Sequence, residues 1–426
     1  MFILEDYQLP RLGPTGLDGY LTEEQGAVQD NVRRFAREVM RPTGQALDKL
    51  TAAQTVAADS PLWSYVSIFR DAGILDLEAL ASMTPTQKAQ MVPLIFEELG
   101  WGDSGLGLLG LVQAFPAFAA YISGDGELIE RFGASSGCWV GTQPDRGSDL
   151  ADMDTTELHP GSRQGNGNLM ARIEGDRVVF NGQSSAWVSG APIADSGYVF
   201  CQCDYGDGLW NEKGGMHYIA ALVPFDLPGI SKGKPLEKLG QRPLPQGQVF
   251  FDEVSIPARY VIAGKDKAYP TFLGALTFGN MEMAFTFTGV ARAAFEHALE
   301  YVHERRQGGC ALIEHQSVRA RIFDMWRKLE AARALARRVA DYNFGPHGPH
   351  LLASVTSKTH VTQAAFEVAN EAVQLLGGNG LTKEYPTEKL LRDARAALIE
   401  DGENTLLSLK GTSYLSAWWK NGSRHP

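Results

Sequence analysis

Four places in this 426-residue sequence carry side chains suited to chemistry. The first is the stretch QLLGGNGLTKEYPTEKLLRDARAALIEDGENT at 374–405, near whose end Asp401 and Gly402 form a short turn between two helical patterns. A carboxylate held in such a turn is aimed by the backbone on both sides, and one kept dry enough for its pKa to rise can remove a proton from carbon. The second is GTQPDRGSD at 141–149, where a Pro and Gly turn presents backbone N–H groups and the small hydroxyls of Thr142 and Ser148 to a polar heterocycle. The third is Trp187-Val188-Ser189, after the Asn181-Gly182 turn, with an aromatic face and a hydroxyl two residues apart. The fourth is ERRQGG at 304–309 followed by EHQ at 314–316, in which Arg305 offers a planar fork of donors to an anion. Standing alone, the last three read more readily as a surface turn, a core tryptophan and a solvated helix end.

The elements that must position them follow from periodicity. Gln374 closes a buried helix that Gly377, Gly378 and Gly380 stop, since glycine takes the left-handed backbone a helix exit needs. Past Pro386 a helical period resumes over 389–399, and Asn404 is the expected N-cap of a final helix over 405–419. Residues 21–132 are helical in pattern, with apolar residues three and four apart in 26–40, 62–72 and 90–99. From about residue 137 the composition turns to glycine, proline and alternating strands at 177–180, 198–203, 218–224 and 248–256. The helical period returns near 269 and lasts to the end. Helices, then strands, then helices imply an α+β chain of successive all-α, β-barrel and all-α parts rather than alternating βαβ units. The expected domains are 1–136, 137–262 and 263–426.

Composition narrows the function classes. A hydrophobic content of 44% with 21% charged residues is that of an ordinary globular chain, and a net charge of −11 argues against nucleic acid or anionic membrane as main partner. Cys138, Cys201, Cys203 and Cys310 are too few and too irregular for a disulfide framework, and no second pair completes a metal site with Cys201 and Cys203. His347 and His350 fall in a Gly-Pro turn and read as solvated, so no metal is expected. The start, MFILEDYQLPRLGP, is acidic with an early proline, unlike a secretory signal. The most apolar run, 105–122, is interrupted by Gln113 and Pro116 and is expected to be a buried helix pair, not a membrane span. A cytoplasmic location follows by default.

Taken together, the blocks resemble the acyl-CoA dehydrogenase family. The EDGEN segment matches its C-terminal Glu-Gly-Thr signature, the 141–149 block its Thr-Glu-Pro-x-x-Gly-Ser-Asp turn, Trp187-Val188-Ser189 its Trp-Ile-Thr strand, and VFFDEVSIP at 249–257 a third, structural block. The resemblance implies FAD as cofactor, an N-terminal helical domain, a central β-barrel and a C-terminal four-helix bundle. It implies that Asp401 is the base that takes the substrate α-proton. Thr142, Trp187 and Ser189 would contact the flavin, Ser148 would lie near the thioester, and Gln374, Gly377, Gly378, Glu403 and Thr405 would belong to the cofactor-binding set. Arg305 would reach the FAD pyrophosphate across a subunit boundary in a homo-oligomer, tetramer or dimer, Gln316 would contact the cofactor, and electrons would pass to an electron-transferring flavoprotein.

Among the departures from the pattern, three bear on the base and on the CoA end. Aspartate stands at 401 in place of glutamate, Glu403 replaces threonine, and Asn280 falls where the family carries an arginine for the CoA end. Glu282, on the same helix as Asn280, is a second candidate for the base. Aspartate is shorter by one carbon–carbon bond, about 1.5 Å, and a misplacement of about 1 Å can cost on the order of a hundredfold in rate. Three readings follow: a dehydrogenase of an acyl-CoA thioester with a branched or cyclic acyl group, an oxidase resembling nitroalkane oxidase, and a non-catalytic FAD-binding subunit.

Overall fold

The computed structural model describes residues 12–17, 21–152, 167–210 and 215–422; the stretch 1–11, on which the expectation about a leader rests, lies outside them. The described chain opens with helices α1 (Glu23–Phe35), α2 (Arg41–Leu47), α3 (Ala52–Thr55), α4 (Pro61–Asp71), α5 (Leu77–Ser82), α6 (Pro85–Gly102), α7 (Ser104–Gln113), α8 (Phe115–Ser123) and α9 (Gly126–Phe132). Their starts are written in the sequence. Thr22 with Gln25 and Thr84 with Gln87 form capping boxes, in which each hydroxyl takes the N3 amide and each glutamine side chain takes the cap amide. The run Ser104–Ser123 is long and apolar enough to cross a membrane, yet it is divided into α7 and α8 ahead of Pro116, and 56% of its most apolar window is buried inside the protein.

The strand region comprises β1 (Gly137–Val140), β2 (Leu169–Glu174), β3 (Arg177–Gln183), β4 (Val188–Ser189), β5 (Ser196–Asp204), β6 (Tyr218–Pro224), β7 (Ile230–Lys232), β8 (Gln246–Gly247), β9 (Val249–Pro257) and β10 (Val261–Gly264). The main sheet runs β10-β6-β5-β2-β3-β9-β7, with β1 parallel to the first half of β5 and β2 parallel to its end. The expected closed barrel is not what forms: among the described residues β10 and β7 stand at opposite ends of the path and do not pair. Alternation of apolar and polar residues reports that a strand has one dry face, and an open sheet and a barrel share that pattern. The small pair β4–β8 sets Ser189 opposite Gln246, the register on which one wall of the cavity described below depends.

Helix α10 (Lys265–Glu304) has 40 residues, about 60 Å of helix, and runs from the sheet into the bundle formed with α11 (Gln316–Phe344), α12 (Leu351–Leu376), α13 (Thr387–Ala397) and α14 (Asn404–Lys420). Its most intimate neighbour on the amino-terminal side is α6. A Cβ on Gly289 would stand 2.0 Å from the Glu97 carbonyl, and one on Gly100 would stand 1.8 Å from that of Thr286, so the two backbones touch where each lacks a side chain. Beside this crossing lies a charged cluster in the core. Arg292 meets Glu97 at 3.1 Å and Glu98 at 2.5 Å, Arg333 meets Glu97 at 3.0 Å, and Arg337 adds a third cation to Glu97 at 3.3 Å. Burial pushes the Glu97 carboxyl up, but Arg333, Arg292 and Arg337 outweigh it and hold its pKa at about 2. Helix α6 runs past the expected 90–99 pattern to Gly102 and carries both carboxylates into the interior.

Candidate active site

A cavity of about 990 Å³ opens where the sheet, α10 and the turn before α14 meet, at the upper end of the range for cofactor and ligand sites. Its wall includes Thr142, Ser148, Trp187, Ser189 and Asp401, so residues from three separate sequence blocks come together. Val112, Leu108, Leu244, Phe272, Leu276 and Met283 supply an apolar lining.

Asp401 sits in the turn between α13 and α14 with φ of 50°, a left-handed conformation, followed by Gly402 at φ 98°. The turn is clamped from three sides. Asn280 Nδ2 on α10 donates to the Asp401 carbonyl at 2.9 Å, Lys358 Nζ on α12 donates to the Gly402 carbonyl at 2.7 Å, and the Glu403 amide donates to Ser148 Oγ at 2.9 Å. The last contact ties the 141–149 turn to the acid that faces the cavity. Burial raises the Asp401 pKa above the ordinary carboxylate value, and the Lys358 ammonium pulls it partly back. Burial likewise lowers Lys358 to about 8, with the carboxylates of Asp401, Glu400 and Glu403 resisting.

Glu282 does not line the cavity. Burial, and then the neighbouring Asp401 charge, raise its pKa to about 8, so it is mostly neutral at pH 7. A neutral acid behind the wall cannot serve as the base in that state. Of the two candidates, Asp401 is the one with access to the cavity.

The opposite wall fits a polar heterocycle. Thr142 Oγ1 shares a 2.6 Å hydrogen bond with Ser185 Oγ, and Ser189 Oγ accepts from Gln246 Nε2 at 3.0 Å, which leaves the Ser189 hydrogen free to be donated. Trp187 is 61% exposed, an open aromatic face instead of a core residue. The Trp139 indole N–H on the cavity wall is buried and has no partner among the described residues, a donor that a carbonyl-bearing ligand would complete. These groups suit a ligand with a polar, carbonyl-bearing ring, as the flavin of FAD is.

The remaining expected cofactor residues lie off this wall. Arg305, Gln316, Gln374, Gly377 and Gly378 are exposed, Arg305 as the C-cap of α10 and Gly377 as the left-handed exit of α12. Glu403, not Asn404, caps α14: its carboxylate takes the amides of Thr405 and Leu406 at 2.9 and 3.1 Å, and its other oxygen takes the Thr405 hydroxyl at 3.0 Å. The expected cap, Asn404, is therefore off by one residue, because the two carboxylate oxygens of Glu403 can take both free amides and the Thr405 hydroxyl at once. Asn404 is used inward, accepting from Lys358 Nζ at 2.8 Å.

Several groups of the site carried no motif. Lys358 is a lone lysine on a helix face otherwise built of Ser354, Val355, Val361 and Ala365, and a cation in such a setting was the signal to follow. Glu400 and Lys238 also line the cavity. Burial raises Glu400 to about 7 and lowers Lys238 to about 8, each opposing charge working against that shift.

Comparison with known proteins gives a consistent answer. The family profile described as acyl-CoA dehydrogenase, C-terminal domain, matches residues 269–409. The short-chain specific acyl-CoA dehydrogenase of Clostridium acetobutylicum is 30% identical over 264 residues, 62% of this chain and 68% of that protein. The cyclohex-1-ene-1-carbonyl-CoA dehydrogenase of Syntrophus aciditrophicus is 27% identical over 394 residues, covering 91% of this chain and 88% of that protein. In fold, the butyryl-CoA dehydrogenase structure from Megasphaera elsdenii superposes with a TM-score of 0.78 at 23% identity, over 93% of this chain and 99% of that one.

Proposed function

This chain belongs to the acyl-CoA dehydrogenase family, and we propose that within it Asp401 is the base of an FAD-dependent α,β-dehydrogenation of an acyl thioester. It is a flavoprotein oxidoreductase. The single observation that carries the assignment of the base is that Asp401, clamped by Asn280 and Lys358, faces the same cavity as Thr142, Trp187 and Ser189. FAD, when bound, supplies the acceptor for the β-hydrogen as hydride. The chain does the rest: the raised pKa of Asp401 brings its affinity for the α-proton closer to what the step needs, and the apolar lining excludes water. A cyclic or branched acyl group is supported by the wide cavity and by relatives named for cyclohexene- and cyclohexane-carbonyl thioesters.

The exposed position of Arg305 and Gln316 supports their reaching the FAD of a second copy in a homo-oligomer. Electron-transferring flavoprotein is the proposed acceptor for the reduced enzyme. A second reading, an oxidase resembling nitroalkane oxidase, draws on the aspartate itself and on Asn280 in the place of a CoA-binding arginine. Anaerobic addition of a panel of acyl-CoA thioesters to the yellow protein tests the first reading: the flavin absorbance bleaches with at least one member. Oxygen uptake with nitroalkanes and no bleaching by any thioester would establish the second reading instead.

A further inference from the structure

Adjacent to the base, the cavity wall carries a polar group that neither proton removal nor flavin binding uses. Glu400 Oε2 accepts a hydrogen bond from Gln241 Nε2 at 2.7 Å, whereas Oε1 takes none among the described residues. Gln241 is fixed in turn, fully buried, its main-chain N–H donating to Asp393 Oδ1 at 2.5 Å. Lys238, on the same wall, donates to the Leu244 carbonyl at 2.7 Å and to Gln246 Oε1 at 2.8 Å, and an ammonium has a third hydrogen to give.

A plain alkyl chain filling this space would strip water from Glu400 Oε1 and return nothing. A cationic group would meet Lys238, and an anionic one would meet Glu400 and Asp401, all on this wall. The group that suits both signs of neighbour is a neutral one that donates and accepts.

Resting on the acyl-thioester reading above, we infer that the acyl group carries a hydroxyl beyond its β-carbon, that Glu400 Oε1 accepts its hydrogen, and that Glu400 is therefore a specificity-determining residue. A hydrogen bond to a charged group discriminates by roughly tenfold to a hundredfold against the analogue that lacks the hydroxyl.

The test compares pantetheine thioesters, which spare the site any demand for CoA or a carrier. Hexanoyl, 4-hydroxyhexanoyl, 5-hydroxyhexanoyl and 6-hydroxyhexanoyl thioesters are each given anaerobically to the FAD-loaded protein, and kcat/KM is read from flavin bleaching. One hydroxylated member exceeds hexanoyl by about tenfold or more, and that ratio collapses toward unity in Glu400→Leu. Glu400→Gln keeps the shape of the side chain should the leucine variant not fold, and lowers the ratio in the same direction. Hexanoyl matching or exceeding every hydroxylated member in the native protein, or a preference that survives both substitutions, overturns the inference. Failure of all four thioesters, while a cyclic or branched acyl-CoA bleaches the bound flavin, overturns this assignment alone; failure of every acyl thioester, that panel included, overturns the acyl-thioester reading and this assignment with it.

Discussion

Asn280 Nδ2 lies 2.9 Å from the main-chain carbonyl of Asp401, so two of the chain's departures from its family pattern are in direct contact. Asn280 is fully buried and also donates to the Leu276 carbonyl one turn back on α10, which fixes its amide before it reaches the turn. Asn280→Ala is expected to leave flavin binding intact and to lower kcat on the order of a hundredfold, the cost of about 1 Å of freedom at a reacting group. The absorbance spectrum and steady-state kinetics of one preparation check both halves.

Asp401→Asn keeps the size of the side chain and removes the base. It is expected to retain FAD and to slow flavin reduction by roughly a hundredfold to ten-thousandfold, the usual span of a general base. Stopped-flow reduction measures it. A rate within a few-fold of the native protein would transfer the role to another carboxylate.

The base acts in its ionised form, so kcat/KM rises with pH through the Asp401 pKa, which burial has raised. Lys358 opposes that rise, so removing its charge lets the pKa climb further. In Lys358→Met the ascending limb of the pH profile therefore moves to higher pH, and a limb that stays put would separate Lys358 from the titration.

Glu97 bears on stability instead of rate. Its folded pKa of about 2 lies below the ordinary value of 4.5, so its contribution is complete above pH 4.5 and is lost as the pH falls toward 2. Glu97→Gln leaves Arg292 and Arg333 short of a counter-charge in the interior and is expected to cost about 3–5 kcal/mol. Urea titrations at neutral and acid pH give the sign: the gap between variant and native protein narrows as the pH drops.

Gly289→Ala drives a methyl group into the Glu97 carbonyl at 2.0 Å, a backbone atom that cannot turn aside. The expected cost is about 1–3 kcal/mol or more, seen as a lower Tm, because α6 and α10 must separate to admit it.

The sequence made the helix–strand–helix order legible because each class of element repeats its apolar residues at its own period. It also showed Asp401, Thr142, Ser148, Trp187 and Ser189, whose blocks converge on one cavity. The barrel was not legible, since closure depends on whether β10 and β7 meet, which no single strand encodes. Glu400 and Lys238 escaped for a related reason: a charged residue in a turn or loop ordinarily faces water, and only the assembled wall turns it inward. The buried set of Glu97, Glu98, Arg292 and Arg333 was hidden because its members lie up to 236 residues apart.

The handedness of the turn at 401 has a consequence for anyone redesigning this enzyme. With φ at 50°, the position favours glycine, asparagine or aspartate, whose short polar side chains tolerate that geometry better than longer ones do. Restoring the longer acid would gain reach while working against its own main chain. Acid length and turn shape form one inherited choice, and a designer exchanging one would have to rebuild the other.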